Sequence, residues 1–390
     1  MKTLDDQGYP SSYAPCCNSM RPENGHHLFD TPAETINPQE FFNSEGMTQL
    51  RSDLLNGIKS PICNACWETE DAGLNSHRQI DWLPGDVELD TVNPTLQVID
   101  TMASRKCNLR CIMCNPGSSD SLDKDLAYFM ANSIKKKEWS DHLLNMENGI
   151  TDVVHKELPI IEWCTKHYDQ IKGFKISGGE PFMDPSFKKM IIELTDKYDH
   201  IPMTLDITTN GTKITKDMLS RLSKFKKILL TLSIDGTGGS YEYIRFPYKY
   251  TQIQKRIHEY MTYPDLDIEG SINLVVNSLN VLCATDLVRW LGRYPNITSI
   301  NAADMHPEDN PLNLKHLSVD VLQEAANRLI PIGESHSAFK ENYLERILYA
   351  IDENDENKER LLNELKMFDG SRGVSHKDYL DPILLEWLHE

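Results

Sequence analysis

Residues 96–114 read LQVIDTMASRKCNLRCIMC, an apolar run followed by three cysteines within eight residues. The run has the length and the β-branched content of a buried strand. Cys107, Cys111 and Cys114 then follow at spacings of four and three, which lets a tight loop aim three sulfurs at one point. A closed zinc site takes four protein ligands, and an iron–sulfur cube usually takes four cysteines. Since the next cysteine downstream is Cys164, the spacing favours a cluster with one open iron; a zinc site completed by a distant Cys or His is the alternative.

Outward from this stretch, short apolar runs alternate with longer helical patterns. The apolar runs are Leu96–Met102, Phe174–Ile176, Met203–Thr208, Ile228–Ile234, Ser271–Val276 and Thr298–Ile300. The helix candidates are Asp120–Lys136, Lys156–Asp169, Pro185–Tyr198, Lys216–Phe225, Gln252–Tyr263 and Leu282–Tyr294. Strands that alternate with helices pair in parallel through right-handed crossovers, so an open sheet or a barrel is expected. After about residue 305 the pattern is mainly helical, and Phe368–Gly373 reads as a turn between two helix patterns.

Polar motifs follow several of these runs. Ser177–Pro181 (SGGEP) ends the second run, Thr208–Gly211 (TTNG) the third, Ser233–Gly236 (SIDG) the fourth and Asn277 the fifth, while Arg245 follows in YIRFP. Taken singly, each motif is more typical of a strand-to-helix turn, and a lone Arg of a solvated surface. Ligand sites of barrels and open α/β sheets collect at the carboxyl ends of strands. The shared placement therefore predicts that these residues surround one pocket.

The cysteine loop followed by SGGEP, TTNG and SIDG resembles the radical S-adenosylmethionine (SAM) superfamily over about residues 93–305. The resemblance implies an α/β fold, a partial (β/α)6 TIM-type barrel. It also implies that Cys107, Cys111 and Cys114 hold a catalytic [4Fe–4S] cluster, whose open iron binds the amino and carboxylate groups of SAM.

The resemblance also assigns contacts with the cofactor to residues beside these motifs. They are Met113, Gly178, Gly179, Glu180, Thr209, Asn210, Ser233, Arg245 and Asn277. The two glycines and Glu180 match the segment that contacts the methionine amino group, and Thr209 and Asn210 match a position that contacts the ribose. The match makes Ser233 and Arg245 candidates for ribose or carboxylate contacts and places Asn277 at the adenosine. Met113 occupies a position that is often aromatic in the family, at the adenine.

A second group of cysteines lies in the loop-rich segment 1–92: Cys16, Cys17, Cys63 and Cys66. A CxxC pair with two more thiols suits zinc or an iron–sulfur cluster. Residues 43–78 resemble the SPASM/twitch segment that binds an auxiliary cluster in some radical SAM proteins, although in the better-known members it follows the barrel. The resemblance predicts an N-terminal cysteine-rich segment with an auxiliary iron–sulfur cluster; zinc or free thiols are the alternatives.

The composition restricts the classes of binding partner and the cellular compartment. The 390 residues carry 40 basic and 59 acidic side chains, a net charge of −19, which argues against broad binding to nucleic acid or to an anionic membrane. No segment approaches a membrane span of about 18 apolar residues, and the N-terminus lacks the apolar core of a secretory signal. The nine cysteines are odd in number and clustered, which favours metal over disulfides and predicts a cytoplasmic location. Cys164 and Cys283 lie in helical patterns and read as core residues.

These observations together predict an enzyme with three segments: the cysteine-rich segment 1–92, a radical SAM barrel over 93–305 and a helical extension over 306–390. The expected reaction is reductive cleavage of SAM to a radical that abstracts hydrogen from a substrate. The resemblance implies a one-electron reductant of the flavodoxin or ferredoxin kind and a peptide or protein substrate. A small metabolite or a carbohydrate is the second choice of substrate, and a tRNA is disfavoured by the charge. The other function class is a zinc-stabilised binding or scaffold protein.

Overall fold

The computed structural model describes residues 13–16, 37–79, 94–132, 159–304 and 310–390. One sheet of six strands runs in chain order from β1 to β6. The strands are β1 (Val98–Met102), β2 (Gly173–Ser177), β3 (Ile201–Thr209), β4 (Phe225–Ser233), β5 (Ile268–Val276) and β6 (Ile297–Asp304). The pairs β1–β2, β2–β3 and β5–β6 are parallel. Each predicted apolar run overlaps one strand, which confirms the α/β fold.

Helices flank this sheet and dominate the C-terminal part. The α-helices of the described residues are α1 (Pro38–Phe42), α2 (Glu45–Leu55), α3 (Asn64–Asp71), α4 (Asp123–Ala131), α5 (Pro159–Lys166), α6 (Pro185–Lys197), α7 (Lys216–Leu222), α8 (Gly238–Ile244), α9 (Tyr250–Met261), α10 (Ala284–Leu291), α11 (Val319–Arg328), α12 (Ser337–Asp352), α13 (Lys358–Arg372) and α14 (Pro382–His389). Each predicted helix between the strands overlaps one of them. The predicted portions 133–136 and 156–158 lie outside the described residues.

The chain divides into two compact units. The first comprises Met1–Ser104, Val153–Ile207 and Lys216–Ile228; the second comprises Arg105–Asp152, Thr208–Thr215 and Leu229–Glu390. The predicted boundaries 92/93 and 305/306 lie outside the described residues and stay predictions.

In the first unit, an apolar sheet face packs against α6. Phe174 and Ile176 of β2 alternate with Lys175, so both apolar side chains point to one face of the sheet. The Phe174 ring stacks on Phe187 of α6 with centroids 6.2 Å apart. Asp184 caps α6 by accepting from two backbone N–H groups, which fixes where this helix starts after β2. Burying each phenyl ring stabilises the fold by about 1.5–3 kcal/mol, so the opposite face of β2 is left for polar residues.

In the second unit, α13 packs against α4. The rings of Phe129 and Phe368 meet edge to face at 5.4 Å, and both are fully buried. The predicted turn over Phe368–Gly373 is wrong, because α13 continues to Arg372 and ends at Gly373 in the left-handed conformation. Gly370 lies within this helix, and its lack of a side chain lets Tyr128 pack closely, since a Cβ would lie 2.6 Å from the tyrosine oxygen. Among the described residues, no helix combines the length and the apolarity that crossing a bilayer requires.

Candidate functional site

The loop after β1 gathers three thiols in the second unit. Cys107 and Cys111 are buried together with Leu109, and Cys114 packs against them. Met113 also contacts this group, which we call the thiol cluster. The loop therefore packs the three cysteines against one another, and their role as ligands of one cluster stays a prediction.

The segment just after the loop fixes its backbone. The N–H of Cys107 donates to Asp120 Oδ1 at 3.0 Å, and the Ser121 hydroxyl donates to the Cys107 carbonyl at 2.6 Å. The Ser119 hydroxyl donates to the Leu109 carbonyl at 2.7 Å. Sequence reasoning missed these three polar residues. Their only signal is a Ser-Asp-Ser run shortly after the third cysteine.

A second set of contacts pairs the loop with the last residue of α8 and with the segment that follows this helix. The Arg110 N–H donates to the Phe246 carbonyl at 2.7 Å, and the Ile112 N–H donates to the Ile244 carbonyl at 2.9 Å. These two bonds resemble a short strand ladder and hold the loop between the first and third cysteines. The sequence gives no signal for this pairing, because the partners are more than 130 residues apart.

A buried ion pair lies beside the cluster. Arg245 Nη1 is 3.9 Å from Cys111 Sγ, and its Nη2 is 2.5 Å from Asp235 Oδ2. The Val275 N–H donates to Asp235 Oδ1 at 2.7 Å, which orients the carboxylate. Burial raises the pKa of the Asp235 carboxyl and of the Cys111 thiol, and the Arg245 charge opposes both shifts. The Arg245 guanidinium thus stabilises negative charge at this end of the thiol cluster, and the charge of Arg372 acts in the same direction on Cys111.

The TTNG segment contacts the loop directly. Asn210 Nδ2 lies 3.6 Å from Cys107 Sγ and 3.3 Å from Asn108 Oδ1. The Thr212 hydroxyl donates to Asn108 Oδ1 at 3.0 Å. The Thr209 hydroxyl accepts from the Gly211 N–H at 3.0 Å and shapes the turn. Sequence reasoning identified Thr209 and Asn210 but missed Asn108 and Thr212, which lie next to motif residues.

Two further predicted positions lie at the ends of β4 and β5. Ser233 is the last residue of β4 and is half-buried. Asn277 is fully buried, where its amide donates to the Val275 carbonyl at 3.0 Å and accepts from the Leu279 N–H at 2.9 Å. These bonds make Asn277 a turn-forming residue, and its contact with an adenosine stays a prediction.

The SGGEP segment belongs to the first unit, directly after β2. Gly178 has a φ of +114°, and a Cβ there would lie 2.8 Å from the Ala103 carbonyl oxygen and 2.9 Å from the Ala103 nitrogen. Only glycine fits this approach between the ends of β1 and β2. The Gly179 N–H donates to the Ser104 carbonyl at 3.3 Å, which adds to the same pairing. Glu180 is fully buried and accepts from the Phe182 N–H at 3.1 Å.

In the first unit, the Cys63 thiol has Cys16 and Cys66 as electrostatic neighbours. Burial and the neighbouring Cys16 and Cys66 raise the pKa of the Cys63 thiol, and the charge of Arg78 opposes this. Arg78 also lies over the Trp67 ring, 4.0 Å from its centroid. Cys17, the fourth predicted ligand, lies outside the described residues.

The residues of the loop suit an iron–sulfur cluster. A cluster takes thiolates and N–H donors to its sulfurs, and here Cys107 Sγ receives the Leu109 N–H at 3.5 Å. Asn210 Nδ2 reaches the same sulfur and Arg245 Nη1 reaches Cys111 Sγ. The Arg245 Nε is buried without a partner. Across the described ranges, no three His, Cys, Asp or Glu side chains are spaced to bind a single metal ion, so both ligand sets stay predictions.

Comparison with known protein families gives one match. Residues 102–260 match the family model described as the Radical SAM superfamily. This segment contains the loop of three cysteines, the SGGEP motif and Arg245. A search of curated proteins gives no match.

The solved structures that match this chain are distant from it. Streptococcus suis SuiB bound to S-adenosylmethionine is 15% identical with a TM-score of 0.35, over 62% of this chain and 48% of SuiB. The chain therefore spans about half the length of SuiB. Native anSMEcpe with bound AdoMet is 16% identical with a TM-score of 0.38, over 63% of this chain and 61% of that one. TYW1 with a lysine-pyruvate adduct is 16% identical with a TM-score of 0.29, over 57% of this chain and 68% of that one.

Proposed function

We propose that this chain is a radical SAM enzyme that abstracts hydrogen from its substrate, because residues 102–260 match the family model of the Radical SAM superfamily. When bound, a [4Fe–4S] cluster would supply the electron for reductive cleavage of SAM to methionine and a 5′-deoxyadenosyl radical. The observation that carries the proposal is the gathering of Cys107, Cys111 and Cys114 at the end of β1, within the matched segment. A zinc-stabilised scaffold protein accounts for the thiols and leaves the family match unexplained.

The protein's own residues prepare the thiol cluster. Under the proposal Cys107, Cys111 and Cys114 bind iron as thiolates, and Asp120 and Ser121 hold the backbone of the first ligand at both its N–H and its carbonyl. These two bonds hold the backbone of the loop in one conformation at the first ligand. Preorganised ligands of this kind lower the cost of assembling the site.

Charged and polar donors around the thiol cluster would set the reduction potential of the bound iron–sulfur cluster. The Arg245 guanidinium, fixed by Asp235, brings positive charge to Cys111, and Asn210 brings an N–H to Cys107. Donors to cysteine sulfur and nearby cations stabilise the reduced, more negative state of a cluster. We therefore assign Arg245 a role in setting the reduction potential, in addition to the contact with ribose or carboxylate that the resemblance implies.

The remaining cofactor contacts are part of the same proposal. Gly178, Gly179 and Glu180 contact the methionine amino group, as the family resemblance implies. Thr209 and Asn210 contact the ribose. Ser233 contacts the ribose or the carboxylate, Met113 the adenine and Asn277 the adenosine.

The proposal also covers the N-terminal thiols and the partners. Cys16, Cys17, Cys63 and Cys66 bind an auxiliary iron–sulfur cluster, and the influence of Cys16 and Cys66 on the pKa of the Cys63 thiol supports this. A flavodoxin- or ferredoxin-like protein supplies the electron, in the reducing cytoplasm where thiols persist. The substrate is a peptide or protein side chain, with a small metabolite or carbohydrate as the alternative.

Anaerobic reconstitution tests the function. Protein reconstituted with iron and sulfide and reduced with dithionite should form 5′-deoxyadenosine from SAM. Replacing Cys107, Cys111 and Cys114 together by Ala should abolish this product and remove the corresponding iron. The matched control is Cys283→Ala, which removes a thiol far along the chain in a helix-forming segment and should keep both. Iron-loaded protein that makes no 5′-deoxyadenosine, beside an active reference enzyme, would refute the proposal.

A further inference from the structure

Three charged side chains form a row across neighbouring strands of the first unit. Asp100 of β1 is paired in register with Lys175 of β2, and Lys175 is paired with Asp206 of β3. Residues in register on parallel strands point to the same face of the sheet. We call these three residues the charged row. At about 4.8 Å between strands, the row spans about 10 Å.

The charged row lies on the face opposite α6. Ile99, Phe174 and Leu205 are also in register with one another, one position away from the charged residues, and they are fully buried. Phe174 stacks on α6, so this apolar set marks the face that the helix covers. Side chains alternate along a strand, so Asp100, Lys175 and Asp206 point the other way.

The row is charged although it is largely buried. Asp100 is 7% exposed as a residue, while the side chains of Lys175 and Asp206 are 28% and 17% exposed. Burial raises the pKa of the Asp206 carboxyl; the charge of Lys175 lowers it and that of Asp100 raises it. Buried charges are costly unless they are paired, so this arrangement calls for an explanation beyond packing.

The pairing within the row is incomplete. Lys175 Nζ lies 3.6 Å from Asp206 Oδ2, so one ammonium group serves a row with two carboxylates. Asp100 Oδ1 is buried and receives no hydrogen bond. An unsatisfied buried acceptor destabilises the fold, and the cost is greater when the acceptor is charged. An incoming N–H donor with positive charge would satisfy this oxygen and balance the excess negative charge.

The position of the row along the strands connects it to the proposed reaction. Lys175 precedes Ser177, the last residue of β2, by two positions, and Gly178 and Gly179 follow directly. Two residues of a strand cover about 7 Å. A group held by the row therefore lies within a few residues of the SGGEP segment.

We propose that the charged row is a recognition site for a cationic group of the substrate, either a primary ammonium or a guanidinium. The proposal rests on the proposed function, since it names the substrate class of that reaction. Asp100 accepts a hydrogen bond from the incoming cation through its unpaired oxygen. Lys175, in the middle of the row, holds Asp206 in place at the other end. The two carboxylates and the one ammonium group together leave one net negative charge for the ligand.

The test compares three small probes with reconstituted full-length protein by titration calorimetry. Nα-acetyl-lysine amide and Nα-acetyl-arginine amide carry the two cationic groups, and Nα-acetyl-norleucine amide is the uncharged match. At least one cationic probe should bind ten-fold or more tightly than the norleucine probe. Asp100→Asn should remove most of this preference, because the amide lowers the negative charge at an almost unchanged shape. Asp206→Asn gives a second, independent loss at the other end of the row.

Asp199→Asn is the matched control. Asp199 is a carboxylate of the same unit whose side chain is fully exposed, so its loss should leave probe binding unchanged. Equal binding of all three probes, or full retention of the cationic preference in both Asp100→Asn and Asp206→Asn, would overturn the inference. A melting temperature within a few degrees of wild type confirms that a variant is folded.

The two proposals fail separately. Formation of 5′-deoxyadenosine without any preference for the cationic probes would refute the recognition site and leave the reaction standing. A strong cationic preference in protein that forms no 5′-deoxyadenosine would refute the reaction and leave the binding site standing.

Discussion

At the scale of single residues, the structure gives the physical reason for a glycine at position 178, in a motif that is weak as a sequence signal. Two adjacent glycines after a strand are ordinary turn chemistry. In the structure Gly178 has a φ of +114°, and backbone atoms of Ala103 lie within 3 Å of where a Cβ would be. Two requirements thus coincide at one residue: left-handed backbone and no side chain. The close pairing of the two strand ends depends on both.

Gly178→Ala should therefore be costly. The added methyl group meets backbone, which cannot rotate away, and positive φ alone costs an L-residue about 1–2 kcal/mol. We expect a clear drop in melting temperature and loss of 5′-deoxyadenosine formation. Gly57→Ala is the matched control, because Gly57 also has positive φ (+70°) but has open space around it. Equal effects of the two substitutions would show that the contact with Ala103 does not matter.

At the scale of elements, α13 reaches back to the cysteine loop of its own unit. Arg372 in its last turn is buried and donates to the Arg110 carbonyl at 2.5 Å and to the Tyr243 carbonyl at 2.8 Å. Its guanidinium also lies over the Phe368 ring, 4.5 Å from the centroid. Arg110 lies between the first and second cysteines of the loop. The helical extension therefore fixes the loop as well as packing on α4.

Arg372→Ala should loosen the loop without touching a thiol. Removing a buried, hydrogen-bonded charge costs roughly 3 kcal/mol, and we expect faster hydrogen exchange at the amides of Arg110 and Ile112 in protein without iron. Lys366→Ala, an exposed position of the same helix, is the control and should change neither stability nor exchange. Unchanged exchange in Arg372→Ala would mean that the helix does not order the loop.

The elements also show where sequence patterns succeed. The predicted helix Pro185–Tyr198 agrees with α6 to one residue, because Asp184, Pro185 and an apolar stripe all act within the helix itself. The turn predicted at Phe368–Gly373 is wrong, since α13 continues through Gly370, against which Tyr128 of another helix packs. Local signals are reliable where the deciding contacts are local, and the sequence around Gly370 carries no signal of this distant contact.

At the scale of the whole molecule, the cysteines divide between the two units. Cys107, Cys111 and Cys114 belong to the second unit and the N-terminal thiols to the first. The net charge of −19 disfavours nucleic acid and agrees in sign with a site for a cation. Each cysteine group can therefore be removed separately.

The double variant Cys63→Ala/Cys66→Ala tests the N-terminal group. Under the proposed auxiliary cluster, iron per chain should fall by up to about half, since cubes carry equal iron, while formation of 5′-deoxyadenosine is partly retained. Cys164→Ala is the control: Cys164 is a fully buried thiol of the same unit and should leave the iron content unchanged. Unchanged iron in the double variant would favour zinc or free thiols at this segment.

The sequence by itself determined the alternation of strands and helices, the cysteine spacing and the placement of polar motifs after strands. All of these depend on neighbours within a few positions. Only the tertiary structure decided which groups complete the site: Asp235 beside Arg245, Arg372 on the Arg110 carbonyl 262 positions away, and the unpaired oxygen of Asp100. The physical reason is that hydrogen bonds and charge pairs act over a few ångströms in space. Short sequence patterns carry no record of which distant residues the fold brings within that range.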